Sequence, residues 1–110
     1  MTSDGEETMS VYERTATIRN RLGLHARPAA EFVKLAGAYD AEIWAEKGGL
    51  EVNAKSIMGV MMLAAEAGST ILVRASGTDA VDAVDALVML IESGFDEELE
   101  EEPLAPDDGT

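Results

Sequence analysis

Ala41-Glu42-Ile43-Trp44-Ala45-Glu46-Lys47-Gly48-Gly49-Leu50-Glu51-Val52-Asn53-Ala54 reads as a β-hairpin. In its first arm Ala41, Ile43 and Ala45 alternate with Glu42, Trp44 and Glu46, the period of two that sends successive side chains to opposite faces of a strand. Lys47-Gly48-Gly49 turns the chain, and Leu50, Val52 and Ala54 resume the alternation. A hairpin with one apolar and one charged face belongs to an antiparallel sheet that packs on one side only. Upstream, Tyr12 to Asn20 alternates in the same way, with Ala16 and Ile18 against Thr15, Thr17 and Arg19; downstream, Ile71, Val73 and Ala75 mark a fourth strand. Between these strands the period changes. Ala29, Phe32, Val33 and Ala36 recur at helical spacing from Ala26 to a stop near Gly37, and Ser56 can cap a short helix that ends by Gly68. After Gly77-Thr78-Asp79, the residues Ala80, Ala83, Val84, Leu87, Val88 and Ile91 stripe a third helix ending near Gly94. The order βαββαβα predicts an α+β fold, an open-faced two-layer β-sandwich in which three helices cover one face of a four-stranded antiparallel sheet.

The composition fits one such unit. A chain of 110 residues is one domain with tails. It has no cysteine and a single histidine, which excludes disulfide scaffolds, cysteine nucleophiles, thiolate zinc sites and any site built on two imidazoles. No metal or other cofactor is expected. The 22 acidic and 8 basic residues leave a net charge of −14. Half of the acids lie in residues 1–10 and 96–110, which hold no basic residue. Segments so polar and so charged bury too little apolar area to offset their ordering entropy, so both ends are expected to be disordered around a folded domain at 11–95. Met1 to Ser10 has neither a basic start nor an apolar core, and no apolar run reaches membrane-spanning length. A cytoplasmic monomer is therefore expected, with no nucleic acid and no anionic membrane among its partners, because both repel such a charge.

Gly23-Leu24-His25-Ala26-Arg27-Pro28-Ala29 carries the chemistry. His25 falls at the N-cap of the first helix, where backbone amides lack intrahelical acceptors and the helix dipole is positive. Pro28 suits the first turn, where an amide proton would have no helical acceptor. Gly23 lets the approach bend, and Arg27 supplies a fork matched to phosphate oxygens. An anion attached to the imidazole would meet the amides of Ala26 and Arg27, the dipole and the guanidinium together. From the residues alone two readings stand side by side: a helix cap with a nearby arginine, and an anion site. The cations Arg19, Arg21, Arg27 and Lys34, all close in sequence to His25, predict positive surroundings for it.

This stretch resembles the active-site signature of HPr, the histidine-containing phosphocarrier family of the phosphoenolpyruvate-dependent phosphotransferase system. The resemblance extends over most of 11–95, through the βαββαβα order and a second landmark, Asn53-Ala54-Lys55-Ser56-Ile57-Met58-Gly59. It implies that His25 takes a phosphoryl group on Nδ1 from enzyme I and passes it to a histidine of an enzyme IIA protein. Arg27 would balance charge, and Ala26 and Arg27 would hold phosphate oxygens. The chain would then be a stoichiometric carrier rather than an autonomous enzyme. Phosphoryl transfer needs positioning and charge stabilisation more than covalent help, which suits a site with one nucleophile and no general base.

In the short helix, Ile57, Val60, Leu63 and Ala64 form a stripe that can face the sheet, leaving Met58, Met61 and Met62 on the remaining surface. Flexible, polarizable methionines suit a surface that repacks against several partners, although they also serve as core filler. The resemblance favours the partner surface, with Ile57, Met58, Met61 and Met62 docking on enzyme I and enzyme IIA. It also matches Ser56 to the serine that an HPr kinase/phosphorylase modifies in part of the family; the ordinary role of that residue is the helix cap. Asn20-Arg21-Leu22-Gly23 and the ending Ser93-Gly94-Phe95-Asp96-Glu97 are similar to nitrogen-branch (NPr) chains, which feed a regulatory enzyme IIA, and neither run is expected to touch the transfer chemistry. The sugar-transport branch is the alternative. A noncatalytic interaction module with a structural His25 is the competing class. Trp44, between Glu42 and Glu46 on the open face of the sheet, has no function assigned by the sequence.

Overall fold

The structure is a computed structural model that describes residues 11–100. Strands β1 (Val11–Thr17), β2 (Glu42–Lys47), β3 (Leu50–Asn53) and β4 (Thr70–Ser76) form one antiparallel sheet in the order β1-β4-β2-β3. Helices α1 (Ala26–Ala36), α2 (Ile57–Met62) and α3 (Ala80–Glu92) complete the βαββαβα order. The register sets Ala16 against Ile71 and Ala45 against Val73, so apolar side chains of neighbouring strands meet on one face. That face carries Ala16, Ile43, Ala45, Ile71, Val73 and Ala75, all buried. Against it α1 lays Ala29, Phe32 and Ala36, and α3 lays Ala83, Val84, Leu87 and Ile91. Each fully buried Ile, Leu, Val or Phe contributes about 1.5–3 kcal/mol relative to exposure, which is why these two periodicities fix the layers.

The sheet's other face is open. Trp44 lies there half-buried, paired in register with Arg74 and Asn53, and the Arg74 guanidinium stacks 4.8 Å from the centre of its ring. Arg74 also pairs with Glu51 across the face. Among the described residues no helix is long and apolar enough to cross a membrane.

Two expectations are corrected by the structure. The stripe assigned to α2 is narrower than its sequence implies: Val60 and Leu63 are buried, but Ile57 and Ala64 are exposed. The helix has only six residues, and Ala64 follows it with a left-handed φ of 49°, which breaks the helical path. The domain also does not stop at Phe95. Gly94–Asp96 forms a 3₁₀ turn that buries Phe95 completely, and the chain then runs back along the approach to α1. The Arg21 amide donates to the Glu98 carbonyl at 2.8 Å, the Glu100 amide donates to the Arg19 carbonyl at 2.8 Å, and Leu99 bridges to Asn20. Residues 96–100 escape the disorder expected of 96–110 because backbone pairing and basic partners, which a charge count ignores, compensate their acidity. The disorder expected of 1–10 and of the remainder of the tail, 101–110, falls outside the described residues.

Candidate functional site

Gly23 and Gly94 set the chain geometry from which the site is built. Gly23 has φ +70°, and a Cβ on it would lie 2.5 Å from the Ala65 carbonyl oxygen. Only glycine passes there without strain. The Leu24 amide then donates to that same carbonyl at 2.9 Å, pinning the loop just before α1. His25 follows as the N-cap, extended at φ −78° and ψ −171°, with its carbonyl taking the Ala29 amide at 3.0 Å. Its side chain does not cap the helix. The imidazole is therefore free to turn outward, and it is 38% exposed. The first-turn amides of Ala26 and Arg27 have no acceptor within the helix. Gly94, at φ +77°, lets Leu99 close over it, since a Cβ there would lie 2.3 Å from Leu99 Cδ2.

These two approaches bring Glu97 onto His25. Both carboxylate oxygens of Glu97 lie 3.0 Å from His25 Nε2. A carboxylate only accepts, so the ring hydrogen resides on Nε2. Nδ1 has no partner among the described residues. Arg27 donates from Nε to Glu97 Oε2 at 3.0 Å and from Nη2 to the Phe95 carbonyl at 2.9 Å, and its Nη1 pairs with Glu31. Buried Asn20 completes the set: its Nδ2 donates to the Gly23 carbonyl at 2.7 Å and to Glu97 Oε1 at 2.9 Å. Those two acceptors fix the orientation of its amide. Burial is the largest single influence on the Glu97 carboxyl and opposes its ionisation. Hydrogen bonds from His25 and Asn20, the His25 charge and a hydrogen bond from Arg27 together outweigh it, and hold the group below the usual glutamate range.

The structure brings His25, Ala26 and Arg27 together at one helix start, as their spacing requires. Ser56 lies elsewhere, as the N-cap of α2, with its Oγ accepting from the Gly59 amide at 3.1 Å. Ile57, Met58, Met61 and Met62 are all exposed on α2, which packs beside α1 on the helical layer. Sequence reasoning missed Glu97, Asn20 and Phe95. It also predicted surroundings of purely positive sign, whereas the nearest charge to the imidazole is the Glu97 carboxylate. The runs Asn20–Gly23 and Ser93–Glu97, expected to stand apart from the chemistry, meet each other on His25 and Arg27. An acid within an acidic run carries no mark of its own; the one available signal was that this run opens on Gly94 and Phe95, a turn residue and a core residue.

Residues 12–93 match the PTS-HPr family, described as the PTS HPr component phosphorylation site. The chain belongs to the HPr family of phosphocarriers of the phosphotransferase system. The phosphocarrier protein HPr of Cupriavidus necator is 48% identical to it over 85 residues, covering 77% of this chain and 96% of that protein. The phosphocarrier protein NPr of Proteus mirabilis is 43% identical over 91 residues, covering 82% of this chain and 100% of that protein. The crystal structure of HPr-C-His from Thermoanaerobacter tengcongensis superposes with a TM-score of 0.77 at 51% identity, covering 80% of this chain and 99% of that one. Both HPr and NPr names thus occur among its relatives. In this HPr-family chain, Glu97 lies four residues beyond the segment that matches the family.

Proposed function

We propose that this HPr-family chain accepts a phosphoryl group on Nδ1 of His25 from a phosphohistidine of enzyme I and passes it to a histidine of an enzyme IIA protein. The observation that carries this reading is the imidazole at the start of α1, engaged through Nε2 and open at Nδ1. The Nδ1 lone pair attacks phosphorus as the P–N bond to the donor imidazole breaks, and the donor nitrogen keeps that electron pair. The donor loses its ring charge as His25 gains one, so no proton has to move. The Ala26 and Arg27 amides face the arriving phosphate oxygens, and Arg27 shares their charge once its fork turns from Glu97 and Glu31. Nothing in this scheme asks the chain to turn over a substrate by itself: it is a cytoplasmic carrier, not an autonomous enzyme.

The exposed apolar side of α2 supplies the docking surface, with Ile57, Met58, Met61 and Met62 meeting enzyme I and enzyme IIA in turn. Ser56, at the head of that surface, is the residue an HPr kinase would phosphorylate, placing about −1.5 to −2 charges beside Met58. The nitrogen, regulatory branch is favoured over sugar transport by the Asn20–Gly23 and Ser93–Glu97 runs. Incubation with phosphoenolpyruvate, magnesium and enzyme I is expected to add an acid-labile phosphoryl mass to the chain and none to His25→Ala, with both proteins equally folded by circular dichroism. Undiminished labelling of His25→Ala would falsify the assignment. Chasing the labelled chain with nitrogen-branch and sugar-branch enzyme IIA proteins decides the branch, the nitrogen-branch acceptor being expected to discharge it faster.

A further inference from the structure

Glu97 is held more firmly than an exposed acidic residue has any need to be. Its side chain is only 14% exposed, in a segment whose neighbours Glu98 and Leu99 are exposed. One oxygen takes the amide hydrogen of a fully buried asparagine, the other takes Nε and Nη2 of Arg27, and both face His25 Nε2. The backbone on either side is fastened as well. Phe95 is buried two residues before it, and the Glu98 carbonyl is paired with the Arg21 amide directly after it. A group fixed by its own partners can fix the imidazole in turn.

From this geometry we infer that Glu97 is a positioning residue for the transfer reaction: it keeps the imidazole hydrogen on Nε2, aims the Nδ1 lone pair outward, and faces the charge the ring acquires on phosphorylation. The inference rests on the carrier reading above and names a residue outside the segment that matches the family. Its chemistry balances without an added acid or base. Before attack the ring is neutral, with hydrogen on Nε2 and a lone pair on Nδ1. After the N–P bond forms, Nδ1 bears the phosphoryl group, Nε2 keeps its hydrogen, and the ring carries a formal positive charge 3.0 Å from each Glu97 oxygen. When enzyme IIA removes the phosphoryl group, the electron pair of the N–P bond returns to Nδ1 and the ring charge is discharged. The carboxylate lies on the far nitrogen throughout, so it does not compete with phosphate for Nδ1. A phosphoryl oxygen would instead draw Arg27 away from Glu97, leaving the carboxylate to His25 and Asn20.

Nitrogen-15 spectra of the unphosphorylated imidazole test the geometry without any partner protein. In the wild type with its ring neutral, the Nε2-bound proton is expected to be visible and slow to exchange, with Nδ1 showing the shift of an unprotonated nitrogen. In Glu97→Ala that proton signal is expected to be lost to exchange. In Glu97→Gln, whose amide oxygen can still accept, it is expected to persist. Single-turnover acceptance from phosphorylated enzyme I is expected to slow in Glu97→Ala on the order of tenfold to a hundredfold, the scale seen when the carboxylate orienting a metal-bound imidazole is removed. Glu97→Gln should be intermediate. Leu99→Ala loosens the segment but keeps the carboxylate, and should retain the proton signal and most of the rate. The inference is overturned if Glu97→Ala leaves the proton signal unchanged, if it accepts phosphate at the wild-type rate or faster, or if Leu99→Ala matches its loss. Failure of the wild type to accept phosphate at all would instead sink the carrier reading, and the proton signal would still report on Glu97.

Discussion

His25 and Arg27 are two residues apart in sequence, but what unites them chemically is a carboxylate about seventy residues away, held against both. Such a pairing has a pH signature. The Glu97 carboxyl titrates lower in the folded chain than its ordinary value, so its ionised contacts stabilise the fold above about pH 4.3, the unfolded value for glutamate. That contribution is lost as pH falls through the lower, folded value. Glu97→Gln has no such titration. Chemical denaturation of the two proteins should give a stability difference that drifts as pH falls from about 5 towards 3, the wild type losing ground to the variant as the carboxyl protonates. A difference independent of pH down to about 3 would show that Glu97 is not held ionised by its neighbours. The histidine itself was legible in the sequence, because Gly23, His25, Arg27 and Pro28 each state a local requirement of a helix start. Glu97 was not legible, because its role depends on a contact that no local pattern encodes.

At the scale of elements, the period-two and helical stripes were sufficient for six of the seven, including the four-residue β3, which buries no side chain but pairs with β2 through the hairpin. Helix α2 is the exception. It is six residues long, its only buried member is Val60, and its boundaries are set by the Ser56 cap and the left-handed Ala64 rather than by periodicity. A stripe read across such a short element overreaches, which is how Ile57 and Ala64 were assigned inward. The apolar surface that α2 offers is broad: Met58 and Met62 are 74% and 64% exposed, with Ile57 and Met61 beside them. Soluble chains seldom leave so apolar a helix uncovered without a partner for it. A charge at its centre should therefore harm docking and spare folding. Met58→Glu is expected to change stability by no more than about 0.5 kcal/mol, as for exposed positions generally. It should slow phosphoryl exchange with both enzyme I and enzyme IIA about tenfold or more, the loss expected for a residue central to an interface. Rapid-quench transfer at several partner concentrations would register the loss as weaker association; wild-type concentration dependence in the variant would move the docking surface elsewhere.

Across the whole molecule, the net charge of −14 and the site's local electrostatics do not describe the same thing. Four of the tail acids, Asp96, Glu97, Glu98 and Glu100, belong to the folded unit, and Glu97 and Glu98 meet Arg27 and Arg21 there. What joins this segment to the rest is Phe95, which is fully buried with a left-handed φ of 56° and leads directly into the backbone pairing with Arg19 and Arg21. Among the described residues, its phenyl ring and that of Phe32 are the two largest side chains buried from solvent. Core and site thus meet at Phe95. Phe95→Ala removes a core side chain and leaves a cavity, at a cost of about 3–5 kcal/mol. It also frees the segment that carries Glu97. Urea denaturation of Phe95→Ala should show a lower midpoint, and amide exchange under native conditions should show lost protection at Arg21 and Glu100, whose hydrogen bonds tie the segment down. Phe32→Ala is the matching comparison, because it empties a similar volume of the same core from α1 and leaves the sequence of 94–100 intact. If both variants lose stability but only Phe95→Ala loses protection at Arg21 and Glu100, the segment is fastened through Phe95. If protection at those amides survives in Phe95→Ala, the backbone pairing and the Glu97 contacts hold the segment on their own, and the coupling of core to site fails.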